Sequence, residues 1–445
     1  MRDRFLWIAV ALYAALFTWL GALRFAVHRN FVDFGIFAQT AASAFGCFCN
    51  AIEGSHWAFH FSPILYVAGA VVWLWHSPLA LVALQALAGA LAIPPIYGII
   101  ERRAGAGPAR MGAIVVALYP ALAGTIFNDF HENGFAPAAV AWMLWAFDGG
   151  MLGASFAFAL VTLAVKEDQA IFLAIAGGLG AWRYRGERAG RVALVVALLS
   201  LAVLALFFLV VQPHAAANPL WSPTRFYAWT AQDLRALVPG GILARLGFIA
   251  LAFVPLLFLP FRSRMMWLAA APLAEVLLSR MPTTFTMGSH YAGAWLGYAF
   301  VAFAFAVREL PQPRVTRALW WCIGLCVVEL AVANPLHPGM NLRVREARDA
   351  RLDSVLAALP RGISIATQEE AYTHLALADP FARLLPEDPS VPTDACFILT
   401  DAAYPDSPRL QEYGAAVDAL VREGAYVPIF ARDGIALFRT TGLCR

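Results

Sequence analysis

Charged residues are scarce in this chain of 445 residues. Asp, Glu, Lys and Arg make up 14% of it and hydrophobic residues 61%, whereas soluble domains carry about 25% charged residues. This composition excludes an ordinary soluble domain and indicates a polytopic membrane protein, whose first partner is the lipid bilayer. The formal net charge of +3 is small and the arginines are dispersed, which excludes nucleic acid as the expected partner.

Lysine is almost absent. Lys166 is the only lysine among 32 basic residues, and it is followed directly by Glu167 and Asp168. A compact ammonium group suits a phosphate contact or a pairing with one of these carboxylates. A cluster of charges that ends two helices at the membrane interface explains the same residues equally well.

Long apolar runs predict a mainly α fold, a bundle of about 11–12 hydrophobic helices, because a membrane span needs roughly 20 apolar residues. The clearest candidates are residues 5–23, 79–100, 111–127, 192–211, 243–260, 265–279, 291–307 and 318–332. Shorter candidates are residues 135–147, 151–165 and 170–182. Residues 61–75 are the weakest candidate, because Ser62 and Pro63 favour an interfacial or re-entrant segment. The first run has no small-residue cleavage site behind it, so we expect a retained helix.

Arginine-rich loops indicate the cytoplasmic side. They contain Arg102, Arg103 and Arg110; Arg183, Arg185, Arg188 and Arg191; Arg262 and Arg264; and Arg308, Arg314 and Arg317. Counting crossings between these loops predicts that the sequences NDFHEN and KED and the loops 24–60 and 212–242 lie outside. Only one net crossing is allowed between the loop 24–60 and the first arginine loop, so either residues 61–75 do not span or the N-terminus is outside.

The chain becomes more polar near residue 335, and residues 340–445 predict a small soluble α/β domain after the transmembrane domain 1–335. We expect helices at 346–359, 369–378 and 408–423, strands at 362–367 and 395–400, and a hairpin of 426–430 and 435–439. The crossing count places this domain outside the cytoplasm. It contains neither a glycine-rich phosphate loop nor a nucleophile motif, so we expect a binding or packing element.

The cysteines give few indications of chemistry. Cys47 and Cys49 are expected to be too close for an easy disulfide, and they lack a second pair for zinc. Cys322 and Cys326 are expected to pack in the helical core. Cys396 and Cys444 could pair in an oxidising compartment.

Ionisable residues beside the apolar runs are candidates for function, because a charge at the membrane costs up to about 3 kcal/mol. Asp33 is as consistent with a helix cap as with catalysis. In NDFHEN, the spacing of Asp129 and Glu132 predicts one shared helical face with His131 alongside, although Asn128 or Asp129 could cap the following helix. His60 and His290, each taken alone, are more typical of structural residues at the membrane interface than of catalytic residues.

These motifs together resemble a known family. The order of DFGIFAQ, HFSPILYVAGA, LVALQAL, NDFHEN, AVKEDQAIFLA and SHYAG, with PRGISIATQEEAYTHLA near the end, is similar to bacterial membrane proteins grouped as domain of unknown function 2079. Their layout resembles the C-type glycosyltransferases, polytopic enzymes that take a sugar from a polyprenyl-phosphate donor. The resemblance implies a multi-pass protein of the bacterial inner membrane with an outward-facing site.

The resemblance implies an essential acid in the first outer loop, which matches Asp33, and a second acidic cluster, which matches Asp129 and Glu132. The family often has two adjacent acids in the first loop, whereas here Phe34 follows Asp33 and the next acid is Glu53. A divalent cation, Mg²⁺ or Mn²⁺, bound by Asp33, Asp129 and Glu132 is therefore an expectation only. The expected substrate-binding residues are Gln39, His60, His131, Lys166, Glu167, Asp168, Arg225, His290 and Tyr291.

The predicted function is transfer of a sugar from a polyprenyl-phosphate donor to an envelope acceptor on the outer face. Asp33 is the expected base, and Lys166 or Arg225 is expected to hold the lipid phosphate. The alternatives are a transporter or flippase, with carboxylates and histidines as its site, and a non-catalytic envelope scaffold. The charged residues are predicted at one membrane boundary and the sequence shows no internal repeat, which argues against transport.

Overall fold

A computed structural model of the chain describes residues 2–216, 241–333, 336, 342–404 and 406–444. The fold is mostly helical with a small C-terminal sheet, which confirms the predicted fold class. The chain divides into two compact units. Unit 1 comprises Met1–Trp19, Trp57–Leu65 and Val82–His337, and unit 2 comprises Leu20–His56, Tyr66–Leu81 and Pro338–Arg445.

Helices account for most of the described chain up to Val332. They are α1 Arg4–Ala26, α2 Val32–Ala42, α3 Leu65–Leu74, α4 Pro78–Ala90, α5 Ile93–Ala104, α6 Ala106–Ala117, α7 Pro120–Phe127, α8 Ala136–Asp148, α9 Leu152–Leu163, α10 Glu167–Arg183, α11 Arg188–Leu206, α12 Gln212–Ala215, α13 Gly241–Phe253, α14 Ala270–Leu278, α15 Gly293–Arg308 and α16 Arg314–Val332. Short 3-10 turns occur at His56–Ala58, Glu132–Phe135, Leu259–Arg262, Arg264–Ala269, Pro282–Phe285 and His290–Ala292.

Five helices in the described part of the chain are long and apolar enough to cross a membrane. They are Arg4–Ala26, Pro78–Ala104, Arg188–Ala215, His290–Arg308 and Arg314–Val332. Helices α6 and α7 make a sixth if they count as one span, although they meet at an angle of 47° just before Pro120. A proline at the start of α7 explains the break, because its ring cannot continue the preceding helix.

Several predicted spans are shorter in the structure than in the sequence pattern. Residues 61–75 form only the ten-residue helix α3, as their weak pattern indicated. The prediction for 265–279 was wrong over its first part, where the 3-10 turn Arg264–Ala269 precedes the nine-residue α14. The predicted span 243–260 is helical only to Phe253. Pro255 follows two residues later and cannot continue the helix, and Leu257 and Phe258 then adopt left-handed backbone conformations.

The centre of unit 1 is α15, which is buried along almost its whole length and packs against α5 and α8. Its surroundings explain its composition, because Gly, Ala and aromatic residues alternate where neighbouring helices approach closely. By contrast, α11 exposes Leu194, Leu198 and Leu201, as expected for a helix with one face toward lipid.

Unit 2 contains the predicted α/β elements. Its C-terminal helices are α17 Ala347–Ala358, α18 Glu369–Leu375 and α19 Pro408–Arg422. Besides the two-residue strands β1 Cys49–Asn50 and β2 Gly54–Ser55, the strands are β3 Ile365–Thr367, β4 Ala382–Leu384, β5 Phe397–Asp401, β6 Tyr426–Arg432 and β7 Ile435–Thr440. The short strand β4 has no counterpart in the prediction.

The C-terminal strands form one five-stranded sheet in the order β4-β3-β5-β7-β6. Strand β3 pairs in parallel with both β4 and β5, whereas β5, β7 and β6 are antiparallel. Asp433 and Gly434 turn the hairpin with positive φ angles of 52° and 83°, which favours an Asp-Gly pair. The register of the outer strand β6 shifts between Pro428 and Phe430.

The prediction for Cys47 and Cys49 was wrong, because the structure joins them in a disulfide. The two Cα atoms are 5.2 Å apart, within the normal range for a disulfide. Phe48 between them has a left-handed φ of 49°, which bends the chain between the two cysteines. Cys322, Cys326, Cys396 and Cys444 are free thiols, and the first two are buried in the helical core as predicted.

Candidate functional site

Gln85 organises the NDFHEN loop in unit 1. It lies on α4 and is 2% exposed. Its amide nitrogen approaches the carbonyl oxygens of Ile126 at 3.0 Å and of Asn128 and Asp129 at 3.2 Å, and its amide oxygen accepts from the His131 backbone at 2.7 Å. These bonds satisfy the backbone groups of a turn that has no regular secondary structure.

The prediction that Asp129 and Glu132 share a helical face was wrong. Asp129 precedes the 3-10 turn that begins at Glu132, and His131 between them is extended, with a φ of −150°. Neither Asn128 nor Asp129 caps α8, since that helix has Phe135 at its N-cap without a side-chain bond. The physical reason is the competing hydrogen bonding from Gln85, which holds the loop in an open turn.

His131, Glu132, Lys166 and His290 form a buried cluster. Glu132 Oε2 lies 2.9 Å from His131 Nδ1, and Glu132 Oε1 lies 3.6 Å from Lys166 Nζ. The rings of His131 and His290 stack with centroids 3.6 Å apart and planes at 11°. Glu132 is 0% exposed, and each of the other three is 7% exposed. The structure therefore brings NDFHEN, KED and SHYAG together.

His60 and Glu167 join this cluster from two other segments. His60 Nδ1 lies 2.7 Å from Glu167 Oε1, and the Phe61 backbone N–H donates to Glu167 Oε2 at 2.9 Å. Glu167 and Asp168 lie in the first turn of α10, where the helix dipole favours carboxylates. The KED sequence thus lies where α9 ends and α10 begins. This agrees with the interpretation of a charge cluster that ends two helices, but the three residues are buried and not at an exposed interface.

The cluster sets the charges of its members. Burial alone would lower the pKa of Lys166, but the nearby acidic groups, above all the Glu132 carboxylate and also that of Glu167, outweigh burial and hold the pKa above its ordinary value. Burial alone would raise the pKa of Glu132, but His131 and Lys166 hold it well below the usual range. One lysine ammonium therefore stabilises an ionised Glu132 in the interior.

The remaining carboxyl groups differ from each other. Burial works against ionisation of Glu167, but His60 and Lys166 lower its pKa below the ordinary value. In contrast, burial and the nearby Glu275 raise the pKa of Asp168 well above its ordinary value, so this carboxyl group holds its proton. Burial also lowers the pKa of His60, whose neutral ring donates from Nδ1 to the Glu167 carboxylate.

Polar atoms around the cluster are left without protein partners. Within the described ranges, Asn133 Oδ1, Gln169 Oε1 and His290 Nε2 are buried and have no hydrogen-bond partner. Asn133 also lines a small cavity of about 10 Å³, room for about one water. The rest of its lining is Asp168, Glu275, Val276, Thr284, Tyr291 and Ala294. Unpartnered buried polar groups are costly, so a water or another polar group is expected beside them.

Asp33 and Gln39, two further predicted site residues, belong to unit 2. Asp33 is half-buried in the first turn of α2, and the N-cap of this helix is Phe31, not Asp33. Gln39 donates to the carbonyl oxygens of Asp379 and Ala382 and accepts from Tyr372 and Ala51, so the structure gives it a packing role. Arg225 lies outside the described residues, and its predicted role stays a prediction.

Gln85, Asn128 and Asn133 were missed as site residues by sequence reasoning. Asn128 donates its side-chain N–H to the Gly288 carbonyl at 2.8 Å, which joins the NDFHEN loop to the segment before His290. A usable signal existed for Gln85, because a single glutamine interrupts an otherwise apolar helix. Asn128 and Asn133 carry no such signal, since asparagine is common in any turn.

Solved structures similar to this chain include ArnT from Cupriavidus metallidurans. ArnT bound to undecaprenyl phosphate matches with a TM-score of 0.54 and 14% identity, over 96% of this chain and 97% of ArnT. ArnT in the apo state matches with a TM-score of 0.55 and 12% identity, over 97% and 98%. The chain therefore has an ArnT-like C-type glycosyltransferase fold, as the motif resemblance predicted.

Sequence comparisons give the family. A comparison with curated protein sequences finds no match. The family described as predicted membrane protein (DUF2079) matches residues 30–435, which is most of the chain. The protein therefore belongs to the DUF2079 family of predicted membrane proteins.

Proposed function

We propose that this protein is a membrane glycosyltransferase that moves a sugar from a polyprenyl-phosphate donor to an envelope acceptor, with its site in the buried cluster of unit 1. The observation that carries the proposal is the cluster itself, which combines an ion-paired Lys166 with unpartnered polar atoms. The ArnT-like fold supports it, since one matched ArnT structure is bound to undecaprenyl phosphate.

Lys166 is the proposed contact for the donor phosphate. It faces two ionised carboxylates, Glu132 and Glu167, so a phosphate group that approaches it needs additional positive charge. Arg225 or a divalent cation held by Asp129 and Glu132 would supply this charge. Such an ion would neutralise charge on the departing phosphate, and the cluster, with two ionised carboxylates and one ammonium group, is electrostatically compatible with it.

The motif resemblance assigns the base to Asp33, and this role stays a prediction because Asp33 belongs to unit 2. A base in this reaction takes the proton from the acceptor hydroxyl while the acceptor oxygen bonds to the anomeric carbon, and the bond from that carbon to the phosphate oxygen breaks. Glu132 is poorly suited to this task, because a carboxylate with a strongly depressed pKa is a weak base. Its role is electrostatic, with Asp129 on the same loop orienting the acceptor.

His60 has the arrangement of an oriented imidazole. The Glu167 carboxylate accepts from Nδ1, which leaves Nε2 as the acceptor nitrogen of the ring. Glu167 therefore fixes the tautomer of His60, as a carboxylate does in other His–carboxylate pairs. We assign His60 to a substrate hydroxyl, for which an acceptor nitrogen is the suitable partner.

Transfer of radiolabelled sugar from a polyprenyl-phosphate donor by the purified full chain tests the proposal. We expect transfer by the wild type and a loss of at least about 100-fold in Asp33→Asn and Glu132→Gln, as for removal of an electrostatic partner in the site. Glu309→Gln is the matched control, since the Glu309 side chain is 61% exposed. Addition of EDTA shows whether a divalent ion takes part.

Transport is the competing function, and the 47° break between α6 and α7 favours it because transporters use broken helices. Liposomes that contain the protein but no acceptor distinguish the two functions. Uptake of solute or flipping of lipid-linked sugar, without transfer to any acceptor, would overturn the proposed transferase.

A further inference from the structure

Two histidines and an aspartate from distant parts of the sequence meet in unit 2. His28 lies between α1 and α2, Asp353 lies in α17, and His374 lies in α18. One ligand atom from each lies within 4.8 Å of those from the other two. In the described ranges this is the one group of three or more His, Cys, Asp or Glu residues with such spacing.

The three side chains are already in contact. His28 Nε2 lies 2.9 Å from Asp353 Oδ1. The His374 ring stacks on the His28 ring with centroids 4.1 Å apart, and the Phe25 ring stacks on His374 at 3.8 Å. His28 is 0% exposed, whereas the Asp353 side chain is 37% exposed, so ions can reach the group from the Asp353 side.

The second nitrogen of each imidazole faces an acceptor. The His374 ring donates to the Phe25 backbone carbonyl, and Nε2 has no partner among the residues that the structure describes, so the donor is Nδ1. His28 Nδ1 lies 3.9 Å from Asp349 Oδ1 without a hydrogen bond. Metal-binding histidines commonly have their other nitrogen oriented by a carbonyl or a carboxylate.

We propose that His28 Nε2, Asp353 Oδ1 and His374 Nε2 bind one divalent transition-metal ion, with Zn²⁺ as the best fit. Two imidazoles and one carboxylate are typical zinc ligands, and water would complete four-coordination. Magnesium and calcium fit less well, because they prefer oxygen ligands. This site shares no residue with the cluster of unit 1 to which the donor phosphate is assigned.

Binding requires small and specified movements. An ion lies in the plane of each imidazole, so the 28° angle between the stacked rings must open. The bond from His28 to Asp353 must also break, and the proton on Nε2 then moves to Nδ1, which turns toward Asp349. Asp353 Oδ1 is the oxygen for the ion, because Arg345 contacts Oδ2.

The consequence would be a cross-link between three segments of unit 2. His28 is five residues before Asp33, so the ion would fix the start of α2 to α17 and α18. His28 has a left-handed φ of 55°, which a bound ion would help to hold. An ion that binds only the folded chain raises its stability.

Zinc titration of the purified, metal-stripped full chain in detergent tests this site. We expect about one tightly held zinc per chain, measured by mass spectrometry of the metal, and a higher Tm with zinc. His28→Asn and His374→Gln should both lose this ion and the rise in Tm. Asparagine is chosen because it tolerates the left-handed backbone at position 28.

Two controls identify the site. His76→Gln removes an exposed histidine of unit 2 and should keep the zinc, as should Asp129→Asn in unit 1. Loss in Asp129→Asn with retention in His374→Gln would move the ion to unit 1 and overturn the proposal. No stoichiometric zinc in the wild type would also overturn it.

If His28→Asn does not fold, the absorption spectrum of the Co²⁺-loaded wild type tests the ligand set instead. A four-coordinate site with two nitrogen ligands gives intense visible bands, and their absence would contradict the proposed ligands.

Discussion

Units 1 and 2 each contain a stacked pair of imidazoles beside a carboxylate. In unit 1 His131 and His290 stack at 3.6 Å next to Glu132, and in unit 2 His28 and His374 stack at 4.1 Å next to Asp353. The two clusters differ in the cation that contacts the carboxylate and in the exposed fraction of that carboxylate. Lys166 pairs with a carboxylate that is fully buried, whereas Arg345 pairs with one that is 37% exposed.

Because of this difference, the charge network of unit 1 is fixed, whereas the cluster of unit 2 can exchange ions with solvent. A buried ammonium and carboxylate cost several kcal/mol of desolvation each, which only close mutual contact offsets. Such a network keeps its charges in place and resists replacement by ions from solvent. The exposed side of Asp353 allows exchange, which is why we assign the zinc site to unit 2 and the phosphate contact of Lys166 to unit 1.

Removal of Lys166 should have the largest effect. Lys166→Met leaves Glu132 buried without its ammonium partner, and we expect a loss of about 3–5 kcal/mol in the free energy of unfolding. Lys166→Met with Glu132→Gln should recover much of this stability but no transfer activity. Thermal unfolding and the transfer assay measure both effects. Equal stability of the wild type and Lys166→Met would contradict the ion-pair assignment.

The two buried glutamines allow a matched comparison. Gln85→Leu and Gln39→Leu each remove bonds to backbone groups, and we expect each to cost about 1–3 kcal/mol of stability because those groups lose their partners. Gln85→Leu should also lower kcat, since Gln85 positions the loop of Asp129 and Glu132. If Gln39→Leu lowers kcat as strongly at equal stability, the loop-positioning role of Gln85 loses its support.

The disulfide of unit 2 should contribute modestly. The bridge between Cys47 and Cys49 closes a very short loop, so chain entropy predicts a contribution of only about 1–2 kcal/mol. Reduction should lower the Tm of the wild type and leave Cys47→Ser/Cys49→Ser unchanged. Cys322→Ala is the control in unit 1, where the cysteines are free.

Acid should destabilise both units through their histidines. Burial lowers the pKa of His60 and of His374, so below the ordinary value of 6.5 the unfolded chain takes up protons that the folded chain refuses. Stability therefore falls as pH decreases below about 6.5, by at most about 1.4 kcal/mol per pH unit for each histidine. In metal-free buffer, Tm from pH 7.5 to 5.5 should fall less in His60→Gln and in His374→Gln. The exposed His76→Gln should keep the full slope.

Local sequence patterns were sufficient to predict several helices and the terminal hairpin. Apolar length gave α1, α15 and α16, and alternating residues with Asp433–Gly434 gave the terminal hairpin. The left-handed residues Leu257 and Phe258 were not predicted, because backbone conformation there depends on packing between helices. The short strand β4 was missed because its three residues are too few to show an alternating pattern.

The candidate site was predictable as a set of residues but not as a geometry. The single lysine and the sequence NDFHEN pointed to Lys166 and Glu132, which the structure pairs. Nothing in the sequence pairs His60 with Glu167, or His28 with Asp353, because those contacts span 107 and 325 residues. The grouping of Leu20–His56 with the C-terminal residues has the same origin, since contacts distant in sequence leave no local pattern.

The outer strand β6 has a consequence for how these proteins coexist in a crowded membrane. Pro428 lacks an N–H group, and the register shift beside it interrupts the row of free backbone donors and acceptors. The opposite edge, β4, offers only three residues. A sheet with two such edges is a poor template for strand addition, so neighbouring copies held at high density should stay separate and not join through their sheets.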